Sequence, residues 1–148
     1  MPKVYSIIRD NGHVLVGTGG NVGDPPRVRT GLHLPGGTYG QNESAINGAL
    51  REVREETGIE LLAQDVVNSF TLLLNGIQVG FLVFEVFSVA SEINTRVVPQ
   101  GNNPEDQPFA DLSSIPLAEC YKNSGFGAHH RTDWFAYGLT YANNNRML

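Results

Sequence analysis

A short stretch of the sequence concentrates carboxylates at helical spacing. Glu52, Glu55 and Glu56 fall within five positions of one helical pattern, in a chain with 15 acidic residues among 148. Like charges three or four residues apart on a helix repel each other, so the arrangement costs stability unless a cation lies among them. Mg²⁺ and Mn²⁺ are hard cations that accept several carboxylate ligands. The spacing therefore predicts a divalent metal site, against the alternative of a solvated helix edge where Arg51 pairs with Glu55.

The helix that must carry these carboxylates is predicted to start at Asn42 or Glu43 and to end at Gly58. At about 100° per residue, apolar residues form a core-facing stripe and the glutamates occupy a separate arc beside it. The stripe comprises Ile46, Ala49, Leu50 and Val53. Ala45 and Gly48 project into the glutamate arc without filling it, which indicates that something packs closely against this face.

The stretch from residue 37 to residue 59 matches nine specified positions of a known signature. They are Gly37, Glu43, Arg51, Glu52, Val53, Glu55, Glu56, Gly58 and Ile59. This pattern resembles the complete Nudix box, the signature of the Nudix hydrolases. The preceding Leu-His-Leu-Pro-Gly-Gly is similar to the family's usual entry to the box. One departure is Gly48, where family members more often have alanine.

The resemblance implies a fold and an activity. The fold is the Nudix fold, an α/β (α+β) domain in which a mixed β-sheet lies between helices as an α/β/α sandwich. The activity is metal-dependent hydrolysis of a pyrophosphate bond in a nucleoside diphosphate linked to another group, with Mg²⁺ as cofactor and Mn²⁺ as a substitute. The cation is then held by the backbone carbonyl of one glycine and by glutamate side chains, at Gly37, Glu52, Glu55 and Glu56. Arg51 orients a glutamate, and Glu43 braces the loop and the start of the helix.

A further acid is implied by the resemblance, because family members commonly add one from a loop before a later strand. Glu105 is the candidate, since Glu-Asp-Gln-Pro at 105–108 resembles that segment in the nucleoside triphosphate members. Glu85 ranks second, as an isolated strand carboxylate. Glu55 and Glu105 both remain candidates for the general base. The likeness favours nucleoside triphosphates, including damaged ones; the alternative is a non-catalytic Nudix-like sensor that binds a nucleotide or sugar nucleotide.

Residues outside the signature are candidates for substrate binding. Arg27 and Arg29 lie in a loop rich in glycine and proline, from which they can reach substrate phosphates. Phe109 can stack on a base, and Asn123 can hydrogen-bond a purine edge. For each of them, ordinary loop structure or packing is the competing interpretation.

The elements around the signature predict a mixed sheet with helices. Residues 3–18 read as a hairpin around Asn11-Gly12, and residues 65–89 as a second hairpin around Asn75-Gly76. A short strand is expected within 109–116 and an amphipathic helix within 131–142. Strands before and after one strong helix favour a layered α/β domain.

Composition restricts the function classes. A chain of 148 residues with 41% apolar residues fits one domain with a single core. A net charge of −5 and a pI near 5.2 argue against a general nucleic-acid or anionic-membrane binder. Cys120 is the only cysteine and no stretch is long enough to cross a bilayer, so cytoplasmic residence is expected. The expected partner is a small-molecule nucleotide, and homodimers are frequent among the relatives.

Overall fold

The computed structural model describes residues 2–23, 25–29, 31–74, 76–87, 107–118 and 134–148. Its elements in chain order are β1 (Lys3–Asp10), β2 (His13–Thr18), β3 (Asn21–Val22), β4 (Arg27–Val28), β5 (Gly36–Thr38), α1 (Ala45–Thr57), a 3-10 helix (Ala63–Asp65), β6 (Val66–Leu74), β7 (Ile77–Glu85), β8 (Asp111–Pro116) and α2 (Trp134–Asn144). No helix among these residues is both long and apolar enough to span a membrane.

Both predicted hairpins are present. Strands β1 and β2 meet at Asn11 and Gly12, whose φ angles of 50° and 79° are the positive values that a primed two-residue turn requires. Strands β6 and β7 pair antiparallel from Leu74 and Ile77 outward. The loop that follows β2 was expected to lack secondary structure, but it contains the short antiparallel pair β3–β4.

The main sheet is mixed, as predicted. Its strand order is β6-β7-β1-β2-β8, with β1 parallel to β7 and antiparallel to β2. β5 pairs with the start of β1, where Tyr5 lies opposite Gly36 and Lys3 opposite Thr38. β2 pairs with β1 only at the C-terminal end of β1, at Arg9 and Asp10. Gly36 and Gly37 at the start of β5, called the glycine turn below, are therefore held beside the first residues of β1.

The two faces of the sheet bury separate hydrophobic clusters, because successive strand side chains point to opposite faces. The cluster that includes α1 comprises Val4, Ile8, Leu15, Ala49, Val53, Ile59, Leu61, Leu82, Phe84 and Val86. The cluster that includes α2 comprises Ile7, Val14, Val16, Leu34, Val79, Phe81, Val83, Leu139 and Ala142. A helix thus covers each face, which confirms the α/β/α sandwich. The predicted stripe of α1 faces the core: Ala49 and Val53 are fully buried, and Ile46 and Leu50 pack against them.

The start of α1 differs from the prediction. The N-cap of the helix is Ser44 and not Asn42 or Glu43. The Ser44 hydroxyl oxygen accepts a hydrogen bond from the Asn47 backbone N–H at 3.1 Å. The Glu43 carboxylate is directed instead to the Gly40 backbone N–H and to Arg51. The predicted end is confirmed, since Gly58 adopts the left-handed conformation with φ 72°.

Gly48, a small residue on the glutamate face of α1, is explained by packing. A β-carbon placed on Gly48 would lie 2.6 Å from the β-carbon of Tyr39. The group that packs closely against this part of the helix is therefore the Tyr39 side chain. Gly48 allows the segment between β5 and α1 to lie on the helix, and its presence is not an argument for a bound ion.

Candidate active site

The Glu52 carboxylate lies against the backbone of the glycine turn. A β-carbon placed on Gly37 would stand 2.9 Å from Glu52 Oε1, closer than real side chains approach. β5 is held in this position by its pairing with β1, and α1 packs on both strands. A larger residue at position 37 would displace the carboxylate. The sequence therefore places glycine where a backbone and a carboxylate must approach the same point.

Arg51 joins the carboxylates of the site into one network. Its Nε donates to Glu43 at 2.7 Å, and its Nη1 donates to Glu55 at 3.0 Å and to Glu52 at 3.4 Å. Its Nη2 donates to the Thr38 carbonyl oxygen at 3.3 Å. The pairing of Arg51 with Glu55 that sequence reasoning offered as the alternative to a metal site is present. The same guanidinium also reaches the segment that carries Gly37, so the pairing is part of the site.

Glu56 is the deepest acid on α1, with 4% of its surface exposed. Its Oε1 accepts a hydrogen bond from the Gly36 backbone N–H at 2.7 Å. Its Oε2 accepts from Nη2 of Arg29 at 3.0 Å in an ion pair whose side chains are both 6% exposed. Glu56 therefore connects α1 with the glycine turn and with the segment after β4.

The acids of the site differ in their electrostatic surroundings. Burial, reinforced by the charge of Glu55 and opposed by Arg51, raises the pKa of Glu52 to about 6. Burial raises the pKa of Glu56 well above its usual range, although the Gly36 N–H and Arg29 oppose the shift. Hydrogen bonds from Arg51 and then from Gly40 lower the pKa of Glu43. Burial thus disfavours the ionised forms of Glu52 and Glu56, which a bound cation would stabilise.

The donor set fits a hard divalent cation. The glutamate side chains and the Gly37 carbonyl offer oxygen ligands, and the Glu52 carboxylate can lie against the Gly37 backbone because Gly37 has no side chain. Within the described ranges, no three acidic, histidine or cysteine side chains are already grouped as a metal site. Arg51 pairs with both Glu52 and Glu55, so a cation at these two carboxylates would share them with its guanidinium.

A comparison with models of protein families matches residues 2–135 to the NUDIX domain. The chain belongs to the Nudix hydrolase family. Membership makes it a Nudix pyrophosphohydrolase by class, and the match covers β5 and α1 as well as both hairpins. A comparison with curated proteins gives no match.

Solved structures share the Nudix fold with this chain. The MutT protein from Methanosarcina mazei Go1 is 24% identical, with a TM-score of 0.60 over 97% of this chain and 94% of that chain. The Ap4A hydrolase from C. elegans, in a binary complex, is 12% identical, with a TM-score of 0.55 over 97% and 98%. A bifunctional NMN adenylyltransferase/ADP ribose pyrophosphatase from Francisella tularensis, complexed with AMP and a Mn ion, is 19% identical, with a TM-score of 0.56 over 78% and 34%.

Two residues expected to bind substrate in this Nudix domain are buried instead. Arg29 is 9% exposed, and its guanidinium donates to Glu56 and to the carbonyl oxygens of Gly19, Gln107 and Pro108. Phe109 is fully buried, and the Arg29 guanidinium lies 4.6 Å from its ring centre. Neither side chain faces solvent, which argues against the predictions that Arg29 contacts phosphates and that Phe109 stacks on a base.

Of the other four candidates outside the Nudix box, two lie within the described residues and two do not. Arg27 is exposed on β4, and its role in substrate binding stays a prediction. Glu105 and Asn123 lie outside the described residues. Glu85 pairs with Arg9 at 3.0 Å, where β7 lies beside the far end of β1. Arg9 lies four positions after Tyr5, the partner of Gly36. This places it roughly 13 Å along the strand, at about 3.3 Å per residue. The register therefore argues against Glu85 as a ligand of the same cation.

Arg51→Met should lower kcat/KM of this Nudix enzyme about ten- to a hundredfold, because residues that orient metal ligands typically contribute that much. Methionine retains the aliphatic volume but releases Glu52 and Glu55 from the Thr38 segment. Steady-state rates across a Mg²⁺ titration would measure the effect. Arg54→Met is the matched control. The Arg54 side chain is 53% exposed, and its contact with Glu60 is long, at 3.9 Å. Equal rates for the two variants would contradict the orienting role.

Proposed function

We propose that the protein hydrolyses a pyrophosphate bond in a nucleoside diphosphate linked to another group, using Mg²⁺ or Mn²⁺. The observation that carries the proposal is the Glu52 carboxylate, whose side chain is 13% exposed, against the Gly37 backbone, with Glu55 and Glu56 on the same helix. Clustered carboxylates with raised pKa values are typical of functional sites. The Mn ion named with the Francisella structure of the same fold supports the choice of metal.

The proposed roles follow from where the side chains lie. Glu52, Glu55 and Glu56, with the Gly37 carbonyl, would hold the cation. Such an ion neutralises phosphate charge and lowers the pKa of bound water. Arg51 orients the outer carboxylates by its hydrogen bonds. Glu55, with 25% of its side chain exposed, can accept a proton from water, and Glu105 remains the second candidate for the base.

The proposed substrate class is nucleoside triphosphates, including damaged ones. This choice rests on the likeness of Glu-Asp-Gln-Pro at 105–108 to the triphosphate members of the family. Arg27, exposed on β4, is the proposed phosphate contact, and Asn123 the proposed base contact. An acidic chain suits small nucleotides as partners better than nucleic acid. We further propose a single Nudix domain that resides in the cytoplasm and forms a homodimer.

Incubation of the pure protein with nucleoside triphosphates, nucleotide sugars, ADP-ribose and dinucleoside polyphosphates tests the activity. Phosphate or pyrophosphate release is expected with Mg²⁺ or Mn²⁺ and should fall to the background rate with excess EDTA, because the proposed cation neutralises the charge of the reacting phosphates. Product analysis identifies the bond that is cleaved. Absence of products with every metal would contradict the proposal, and measurable affinity without turnover would favour the sensor alternative.

A further inference from the structure

We propose that Arg29 is a positioning residue that fixes the Glu56 carboxylate for cation binding and is not itself a ligand of substrate. The inference rests on the proposed metal-dependent function, and it assigns a role to a residue outside the Nudix box. It stands on the buried contacts among Arg29, Glu56 and the segment 107–109.

Both Nη atoms of the Arg29 guanidinium donate to protein acceptors. Nη2 donates to Glu56 Oε2 at 3.0 Å and to the Gln107 carbonyl oxygen. Nη1 donates to the carbonyl oxygens of Gly19 at 3.1 Å and Pro108 at 3.2 Å. Four acceptors around one planar group define its orientation, which a lysine ammonium cannot reproduce. Arg29 is therefore suited to hold a carboxylate in one direction.

Neighbouring residues have the shapes that this burial requires. A β-carbon on Gly20 would lie 2.9 Å from Nη1 of Arg29, so a side chain there would displace the guanidinium. A β-carbon on Gly17 would clash with the ring of Phe109, on which the guanidinium rests. The Phe109 backbone N–H also donates to the Glu56 carbonyl oxygen at 3.1 Å. The pocket for the Arg29 head group is thus built from three separate parts of the chain.

The Glu56 carboxylate keeps capacity for a cation while it is held. Its oxygens have about four lone-pair positions. Gly36 N–H uses one position on Oε1, and Arg29 uses one on Oε2. The remaining positions can face an ion beside the glycine turn.

Mn²⁺ affinity of the purified protein, measured by electron paramagnetic resonance of the free ion, tests the inference without relying on turnover. Arg29→Met should weaken Mn²⁺ binding about tenfold, as expected for loss of a residue that orients a metal ligand. In a Glu56→Gln background, the same change should alter affinity less than about twofold, because the group it positions is gone. Melting of each metal-free variant shows that it is folded.

Arg29→Lys keeps a positive charge and provides a second variant if Arg29→Met does not fold. It should still weaken Mn²⁺ binding at least about threefold, since the ammonium cannot make the planar set of contacts. Arg54→Met, on the exposed side of α1, should bind Mn²⁺ like the unmodified protein. Equal weakening by Arg29→Met in both Glu56 backgrounds, or unchanged affinity in a folded Arg29 variant, would overturn the inference alone. No Mn²⁺ binding by the unmodified protein would overturn both this inference and the proposed function.

Discussion

Replacement of Glu52 by glutamine is expected to lower kcat about a thousandfold at saturating Mg²⁺, with little change in fold. Glutamine keeps the size of the side chain against Gly37 but removes the negative oxygen that is proposed to hold the cation. Several kcal/mol of transition-state charge stabilisation depend on the metal, and each 1.36 kcal/mol corresponds to about a factor of ten. Steady-state kinetics on the best substrate from the nucleotide panel would measure the loss.

Glu60→Gln is the control for loss of a carboxylate near the same helix. The Glu60 side chain is 73% exposed and lies beyond Gly58, so its variant should retain full turnover. Folding is checked by metal-free melting at pH 7.5. Because burial raises the pKa of Glu52 to about 6, above its ordinary value, the carboxylate that is ionised at pH 7.5 lowers the stability of the folded state. The Glu52→Gln variant should therefore have a Tm at pH 7.5 no lower than that of the unmodified protein. A Glu52 variant with full activity would exclude this residue from the metal site.

Local patterns predicted the frame of the site because its determinants are close in sequence. The stripe from Ile46 to Val53 faces the core, since apolar spacing on a helix decides which side is buried. The Asn11-Gly12 pair indicated a turn with positive φ angles, and both residues adopt them. The glycine and glutamates of the signature likewise lie together, because one turn and one helix carry them.

Contacts between distant parts of the chain account for the differences. Arg29 and Glu56 are 27 residues apart, and Arg29 and Pro108 are 79 apart. No local period relates such positions, so an arginine in a glycine-rich loop was interpreted as a residue facing solvent. Gly17 and Gly20 carried an overlooked signal, since glycines beside an arginine can indicate a buried head group that needs space. Tyr39 against Gly48 is a similar case, in which a neighbouring side chain explains the small residue.

The buried pair of Arg29 and Glu56 also explains why α1 tolerates its clustered acids. Arg51 offsets the charge of Glu52 and Glu55, and Arg29 offsets that of Glu56, so two arginines share the repulsion among the carboxylates. A buried ion pair contributes little net stability but leaves a large cost when one partner is removed. The charge of Arg29 thus opposes part of the rise in the pKa of Glu56 that burial causes.

Phe109→Ala should reduce the free energy of unfolding by about 3–5 kcal/mol, the usual cost of deleting a buried phenylalanine. The ring is fully buried between Gly17 and the Arg29 guanidinium, so its loss leaves a cavity under the head group. At about 2–4 °C per kcal/mol for a chain near 150 residues, Tm should fall by roughly 10 °C. Urea denaturation and thermal melting without metal would measure both quantities.

Phe87→Ala separates packing from base stacking as the role of the Phe109 ring. Phe87 is 77% exposed at the end of β7, so removal of its ring should leave Tm nearly unchanged. A ring that stacks on a nucleotide base would instead give a raised KM with little loss of stability, because base stacking is made only in the complex. If Phe109→Ala behaved in that way, the buried position of the ring would be contradicted, and with it the surface that supports Arg29. A loss of stability confined to the Phe109 variant would instead show that this ring maintains the shape of the pocket around Arg29 and Glu56.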